Sequence, residues 1–288
     1  MHAFLQSVAD EARVQVLHVK GPSVHPDLLL RDPHGRPMPR YSTDADVLVR
    51  PADANHYLDA LRRHGCERRT SFVTGSPFEH AANIWHPLLG HADIHRHYPG
   101  IGVAPALAFE AFWSRRETIQ LAHRPCAVPC VGDQRLLLLL HAARSQGDKQ
   151  ADVDRVWHQA DPLDQEEVRA LASDLDASLA LAAAIGELDQ YRDHPDHLLW
   201  RQFSSHEDHS RTAEWRARMR AARGPWQMLS VAARALRLNT DRLALDLGRQ
   251  PTPAEIKQAR RNRRRRVVAE LLSVGKMGSS GERGRGRS

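Results

Sequence analysis

Asp44-Ala45-Asp46-Val47-Leu48-Val49 decides how this chain is read. Side chains alternate across a strand, so Asp44 and Asp46 project from one face and Ala45, Val47 and Val49 from the other. Two carboxylates about 7 Å apart on one face repel each other. A shared divalent cation relieves that repulsion, and magnesium prefers such hard oxygen ligands. The dyad alone reads more simply as two solvated aspartates at a strand edge. A third carboxylate alters the balance. Asp93 lies in His91-Ala92-Asp93-Ile94-His95, which alternates in the same way. On a neighbouring strand it would stand beside the dyad, and three carboxylates suffice for the two metal ions of phosphoryl transfer.

Upstream, residues 14–20 alternate and are rich in valine, which predicts a strand ended by Gly21-Pro22. Lys20-Gly21-Pro22-Ser23 then opens a short helix, expected over 23–30. Backbone N–H groups at such a start bind phosphate, Gly21 permits close approach, and Lys20 or Ser23 would add a side-chain donor. Residues 31–40 carry three prolines and a glycine and read as a loop. Pro51 begins a helix with Tyr57, Leu58 and Leu61 on one stripe and Gly65 at its C-terminal end. A third strand is expected over roughly 88–95. Strands alternating with helices predict an α/β (α+β) layer: a small mixed sheet with flanking helices.

From about residue 133 the periodicity is helical, through Leu136–His141, Val153–Trp157, Val168–Leu175 and Leu179–Leu188. The expected layout is therefore a catalytic domain over 1–132, a mainly helical domain over 133–250, and a basic helix with a disordered tail over 251–288. Thr252-Pro253-Ala254-Glu255 has the form of a capping box that starts the last helix.

These residues carry a resemblance. The chain resembles the nucleotidyltransferase superfamily, and within it a bacterial group with a Lys-Gly turn, a loop arginine, an Asp-x-Asp strand and a later Asp-hydrophobic-His strand. The matching positions are Lys20-Gly21, Arg40, Asp44 with Asp46, and Asp93-Ile94-His95, with the Pro51–Gly65 helix between them. The resemblance covers roughly residues 14–98. It implies a nucleotidyltransferase-like fold and transfer of a nucleoside monophosphate from an NTP to a hydroxyl-type acceptor of unspecified identity. It also implies Mg2+ (or Mn2+) on Asp44, Asp46 and Asp93, nucleotide contacts from Lys20, Gly21, Ser23 and Arg40, and a supporting role for His95. Pro22 departs from the superfamily habit of a serine directly after the glycine.

Other readings compete. A noncatalytic nucleotide- or polyanion-binding protein would keep the same fold. His91, His95 and His97 share strand parity with Asp93 and would suit a histidine-rich hydrolase centre. His141, after the leucine block, reads as well as a helix-surface histidine as it does a functional one. Cys126 and Cys130 lie near His123, but no second ligand pair has zinc spacing, and three cysteines in 288 residues give no disulfide framework.

The net charge of +6 is local. Residues 257–288 hold eleven Lys or Arg against two Glu, so the remainder is acidic at −3. Six of those arginines fall in Arg260–Arg266, where nonspecific polyanion contact competes with a merely solvated helix. No apolar run approaches a membrane span. Without a secretory signal at Met1–Leu5, a cytoplasmic protein is expected.

Overall fold

A computed structural model describes residues 1–38, 40, 42–75, 78–145, 150–204, 217–221, 224–263 and 265. The chain divides into two compact units, Met1–Glu207 and Asp208–Ser288.

The first unit is built on a five-stranded mixed sheet in the order β1-β2-β5-β4-β3. Its strands are β1 (Val16–Val19), β2 (Asp44–Val49), β3 (Glu67–Arg68), β4 (Ala81–His86) and β5 (Gly90–His95). β1 and β2 are antiparallel, β2 and β5 parallel, and β4 antiparallel to both β5 and β3. The alternation of β2 sorts two cores. Ala45, Val47 and Val49 join Leu5, Tyr57 and Leu61 beneath helices α1 (His2–Ala12) and α2 (Ala54–Arg63). Leu48 faces the opposite way, with Leu17 and Val19, into the core of helix α5 (Val131–Ala142). Leu136–Leu140 are all buried, so α5 is enclosed on every side and shows no polar stripe over that stretch. Each such leucine contributes about 1.5–3 kcal/mol of burial.

Helix α2 is preceded by a 3-10 turn at Pro51–Asp53, and Gly65 follows it at φ +86°. That conformation, open to glycine without strain, ends the helix. The Tyr57 hydroxyl donates to the Leu5 carbonyl at 2.7 Å and ties α2 to α1.

Several expectations shift. The helix expected over 23–30 is two 3-10 turns, Gly21–Ser23 and Pro26–Leu28, because Pro22 and Pro26 remove the N–H groups that an α-helical ladder needs. Leu88 and Leu89 belong to the β4–β5 turn, and the strand itself begins at Gly90. A short helix α3 (Phe72–Gly75), strand β4 and helix α4 (Pro105–Ser114) fill stretches that periodicity left unassigned. So does a hairpin of β6 (Glu117–Leu121) with β7 (Arg124–Val128). The hairpin turns on Ala122 and His123, both at positive φ, without the Asn-Gly pair that usually announces such a turn.

After α5 come α6 (Gln150–Val153), a π-helical turn at Asp154–His158, α7 (Pro162–Asp174), α8 (Ser178–Ile185) and α9 (His197–Ser204). α5 packs against α6, α7 and α8.

The second unit contains helices Pro225–Leu236 and Thr240–Leu247 and a helical stretch over 253–263. The capping box forms: the Glu255 carboxylate accepts from Thr252 N–H at 2.7 Å, and Thr252 Oγ1 accepts from Glu255 N–H at 3.3 Å. Arg264, Arg266 and the tail beyond, where disorder is expected, lie outside the described residues. No described helix is long and apolar enough to cross a membrane.

Candidate active site

Parallel pairing places Asp46 opposite Asp93 and Asp44 opposite His91. Residues paired across a ladder share a face. The three carboxylates accordingly line one cavity of about 660 Å³, a usual size for a small-molecule site. They sit on the face that Leu48 carries into the α5 core, at the end of the sheet where that core stops.

Asp46 is the hub and is 3% exposed. Its Oδ1 accepts from Lys20 Nζ at 2.6 Å and from His95 Nε2 at 2.7 Å. Neither contact uses Oδ2. Burial works to raise the Asp46 carboxyl; the Lys20 ammonium and the His95 hydrogen bond outweigh it and hold the group ionised well below the usual carboxylate range. Asp44 accepts from Ser42 Oγ at 2.8 Å, and Asp93 accepts from Asn83 Nδ2 at 2.9 Å. The other end of that Asn83 amide accepts from His91 Nδ1 at 3.2 Å.

The donor set suits a divalent cation. Asp46, Asp93 and His95 each offer a ligand atom, all within 4.8 Å of one another. Two are hard carboxylate oxygens, the donors that magnesium or manganese takes; the third is an imidazole nitrogen, a donor that suits softer ions.

Lys20 reaches Asp46 from a strained turn. Its φ of 62° and ψ of −174° fall in a region essentially reserved for glycine, at a cost of order 1–3 kcal/mol. Gly21 follows at φ +53°, and a Cβ there would lie 3.2 Å from Ser42 Cβ. Gly21→Ala is expected to cost about 2 kcal/mol from the left-handed backbone, lowering Tm by roughly 4–8 °C. Thermal unfolding checks this, and an unchanged Tm would refute the left-handed conformation at Gly21.

A chain of hydrogen bonds backs this turn. Gln6 Nε2 donates to Asp10 at 2.7 Å, which turns its Oε1 toward His18. His18 Nε2 donates to that Oε1 at 3.1 Å, leaving His18 Nδ1 to accept from His2 Nδ1 at 2.9 Å. His2 Nε2 is then the bare nitrogen, and it faces Gly21. Burial holds His18 down at about 3, with His2 adding to the shift. Burial and the N-terminal ammonium hold His2 at about 4 against the opposing pull of Asp46 and Asp44.

Of the residues singled out in the sequence, Lys20, Arg40, Asp44, Asp46, Asp93 and His95 all line the cavity. Arg40 is paired with Asp152, Nη2 to Oδ2 at 2.8 Å. Neither Gly21 nor Ser23 is part of the cavity lining; both are buried, and the Ser23 hydroxyl donates to the Lys20 carbonyl at 2.6 Å, bracing the turn. Ser42 lines the cavity instead. His97 packs on His80, with ring centroids 6.1 Å apart. His141 and Arg144, both on or just past the end of α5, complete the wall. Arg144 is not among the residues singled out in the sequence; its three-residue spacing from His141 along one helix end is the signal that points to it. Asn83 had no such signal, because its strand was not recognised. Burial, and secondarily Lys20 and Arg144, lower His141 to about 2. His80 is also lowered, by burial and then by His95 and Arg144.

A mixed sheet carrying an Asp-x-Asp strand beside a parallel strand with a third aspartate is the arrangement of a nucleotidyltransferase-like protein. The chain belongs to the family described as uncharacterised nucleotidyltransferase, whose sequence model matches residues 5–191. No curated protein matches the sequence. Three solved structures are similar at low scores. A lincomycin-bound lincosamide antibiotic adenylyltransferase, LnuA, is 14% identical with a TM-score of 0.36, over 53% of this chain and 92% of its own. The antibiotic-resistance factor ANT(2'')-Ia is 11% identical at 0.35, over 66% and 90%. An antigenic nucleotidyltransferase-like protein from Paracoccidioides brasiliensis is 15% identical at 0.32, over 63% and 90%.

Proposed function

We propose that the protein transfers a nucleoside monophosphate from an NTP to a hydroxyl-type acceptor, on a small molecule, peptide or protein, with Asp44, Asp46 and Asp93 as the metal-holding carboxylates. One observation carries this reading: the in-register pairing of Asp46 with Asp93 on parallel strands, with Asp44 two residues away on the same face. A divalent ion, Mg2+ or Mn2+, bound there would neutralise triphosphate charge and acidify the acceptor hydroxyl.

The chain's own groups do the remainder. Lys20 and the Gly21 turn approach the triphosphate, and Arg40 lines the same cavity as Lys20. His95 holds Asp46 in orientation through its Nε2–H. Asp93 takes the proton of the acceptor hydroxyl. Residues 1–132 form the catalytic part, and α5 and α6 supply the wall that the acceptor meets.

The test is pyrophosphate release from a panel of radiolabelled NTPs with crude small-molecule and peptide acceptors. Release is expected with Mg2+, and a fall of at least about 100-fold with EDTA. NTP binding without any metal-dependent release would favour a noncatalytic binding protein instead.

A further inference from the structure

The cavity is lined by three permanently cationic side chains: Lys20, Arg40 and Arg144. Lys20 is neutralised by Asp46 and Arg40 by Asp152. Arg144 has no carboxylate partner among the described residues. Its Nη1 donates to His80 Nε2 at 3.0 Å, and its guanidinium lies over the Tyr98 ring at 5.3 Å. Tyr98 is itself fixed by donating its hydroxyl to the Leu137 carbonyl at 2.8 Å. The planar group is therefore held in place by one nitrogen and one face.

Its two remaining nitrogens are the informative ones. Nε and Nη2 are both buried and have no hydrogen-bond partner among the described residues. Buried donors are rarely left so, and a buried, unpaired charge more rarely still. Nε–H and Nη2–H share one edge of the guanidinium and point the same way. That edge is the fork that receives two oxygens of a phosphate or carboxylate in parallel hydrogen bonds. His141 stands on the same stretch of chain, also lines the cavity, and its buried Nδ1 likewise has no partner among the described residues.

We propose that Arg144 is an oxyanion-binding residue of this cavity, gripping two oxygens of a phosphate group in the pyrophosphate half of the nucleotide through Nε–H and Nη2–H. This rests on the nucleotidyl-transfer reading above and adds to it a contact outside the three carboxylates and the Lys-Gly turn. The same fork would take a carboxylate or phosphate on the acceptor, so the source of the oxyanion is part of the test.

Calorimetric titration of the full chain with inorganic pyrophosphate, a nonhydrolysable α,β-methylene NTP, a nucleoside monophosphate and citrate separates these cases. Arg144→Met is expected to weaken pyrophosphate and the triphosphate analogue by roughly 30-fold or more and to leave the monophosphate within about threefold. Arg144→Lys, which keeps the charge and loses the fork, recovers only part of that loss. Circular dichroism and Tm establish that both variants are folded. Equal pyrophosphate affinity in wild type and folded Arg144→Met overturns the proposal. A loss confined to citrate also overturns it and assigns the oxyanion to the acceptor. Failure of the wild type to bind pyrophosphate or any triphosphate removes the nucleotide reading itself, a result distinct from an indifferent Arg144.

Discussion

Asp46→Asn is expected to lower metal-dependent pyrophosphate release by about 10³-fold, roughly 4 kcal/mol in the barrier. The amide keeps the shape of the carboxylate, and its oxygen still accepts from His95. It loses the negative charge on which both the metal site and Lys20 depend. The Lys20 side chain is only 11% exposed, so its ammonium would be left nearly buried without a counter-ion. Removing one partner of such a pair destabilises by about 3–5 kcal/mol, so the single variant is expected to melt earlier as well as fail in turnover. The two effects separate in the double variant. Lys20→Met with Asp46→Asn removes the orphaned charge and recovers most of the lost Tm, while release stays as low as in the single variant. Lys20 itself approaches the triphosphate, so Lys20→Met alone is the control: a stable double variant that releases far less pyrophosphate than Lys20→Met assigns Asp46 to chemistry. An Asp46→Asn protein active within tenfold of wild type would overturn the proposed function.

The site was legible in the sequence to the extent that it depends on strand parity. Asp44–Val49 alternates cleanly because one side packs under α1 and α2 while the other carries carboxylates and then Leu48. Its bounds follow from the pattern alone, and the shared parity of Asp93 and His95, with Ile94 on the other face, places the third carboxylate on a compatible face. What parity cannot supply is register between distant strands. Ser23 stood out because it follows the Lys-Gly turn by two residues, yet it folds back onto the Lys20 carbonyl. Ser42, 21 residues beyond Gly21, reaches that glycine because β1 and β2 run antiparallel and bring their ends together. Asn83 depended on recognising β4, whose Ala81-Ala82-Asn83 start lacks the β-branched residues that mark a strand. His141 reads equally as a surface or a functional histidine because a run of five leucines gives no helical face by which to tell inside from outside. Its place in the cavity follows from the burial of α5 on all sides.

The first unit is expected to be unusually sensitive to mild acid, with unfolding centred near pH 5. His2, His18, His80 and His141 are all held neutral, with folded pKa values at or below about 4, by burial above all. In the unfolded chain each titrates near about 6.5. The unfolded state therefore binds more protons at every pH between those limits. Stability from these groups is fully present above about pH 6.5 and drains as the pH falls toward the folded values. Each contributes a loss of about 1.4 kcal/mol per pH unit, so the four together lose about 8 kcal/mol by pH 5, comparable with the 5–15 kcal/mol of a typical fold. Asp46 acts in a different window: its lowered pKa gives stability that is present above about pH 4 and lost only below it, so it does not mask the histidines. The hydrogen-bonded pair sharpens the effect, since protonating His18 at Nδ1 breaks its bond from His2 and leaves two N–H donors facing each other 2.9 Å apart. Urea unfolding from pH 8 to pH 4.5 should show a plateau down to about 6.5 and then a steep fall, with about four protons taken up on unfolding near pH 5.5. Replacing His18 and His80 together by Asn should remove about two of those protons and flatten the fall. A wild-type protein as stable at pH 5.5 as at pH 7.5 would show that these imidazoles are not buried in the neutral form.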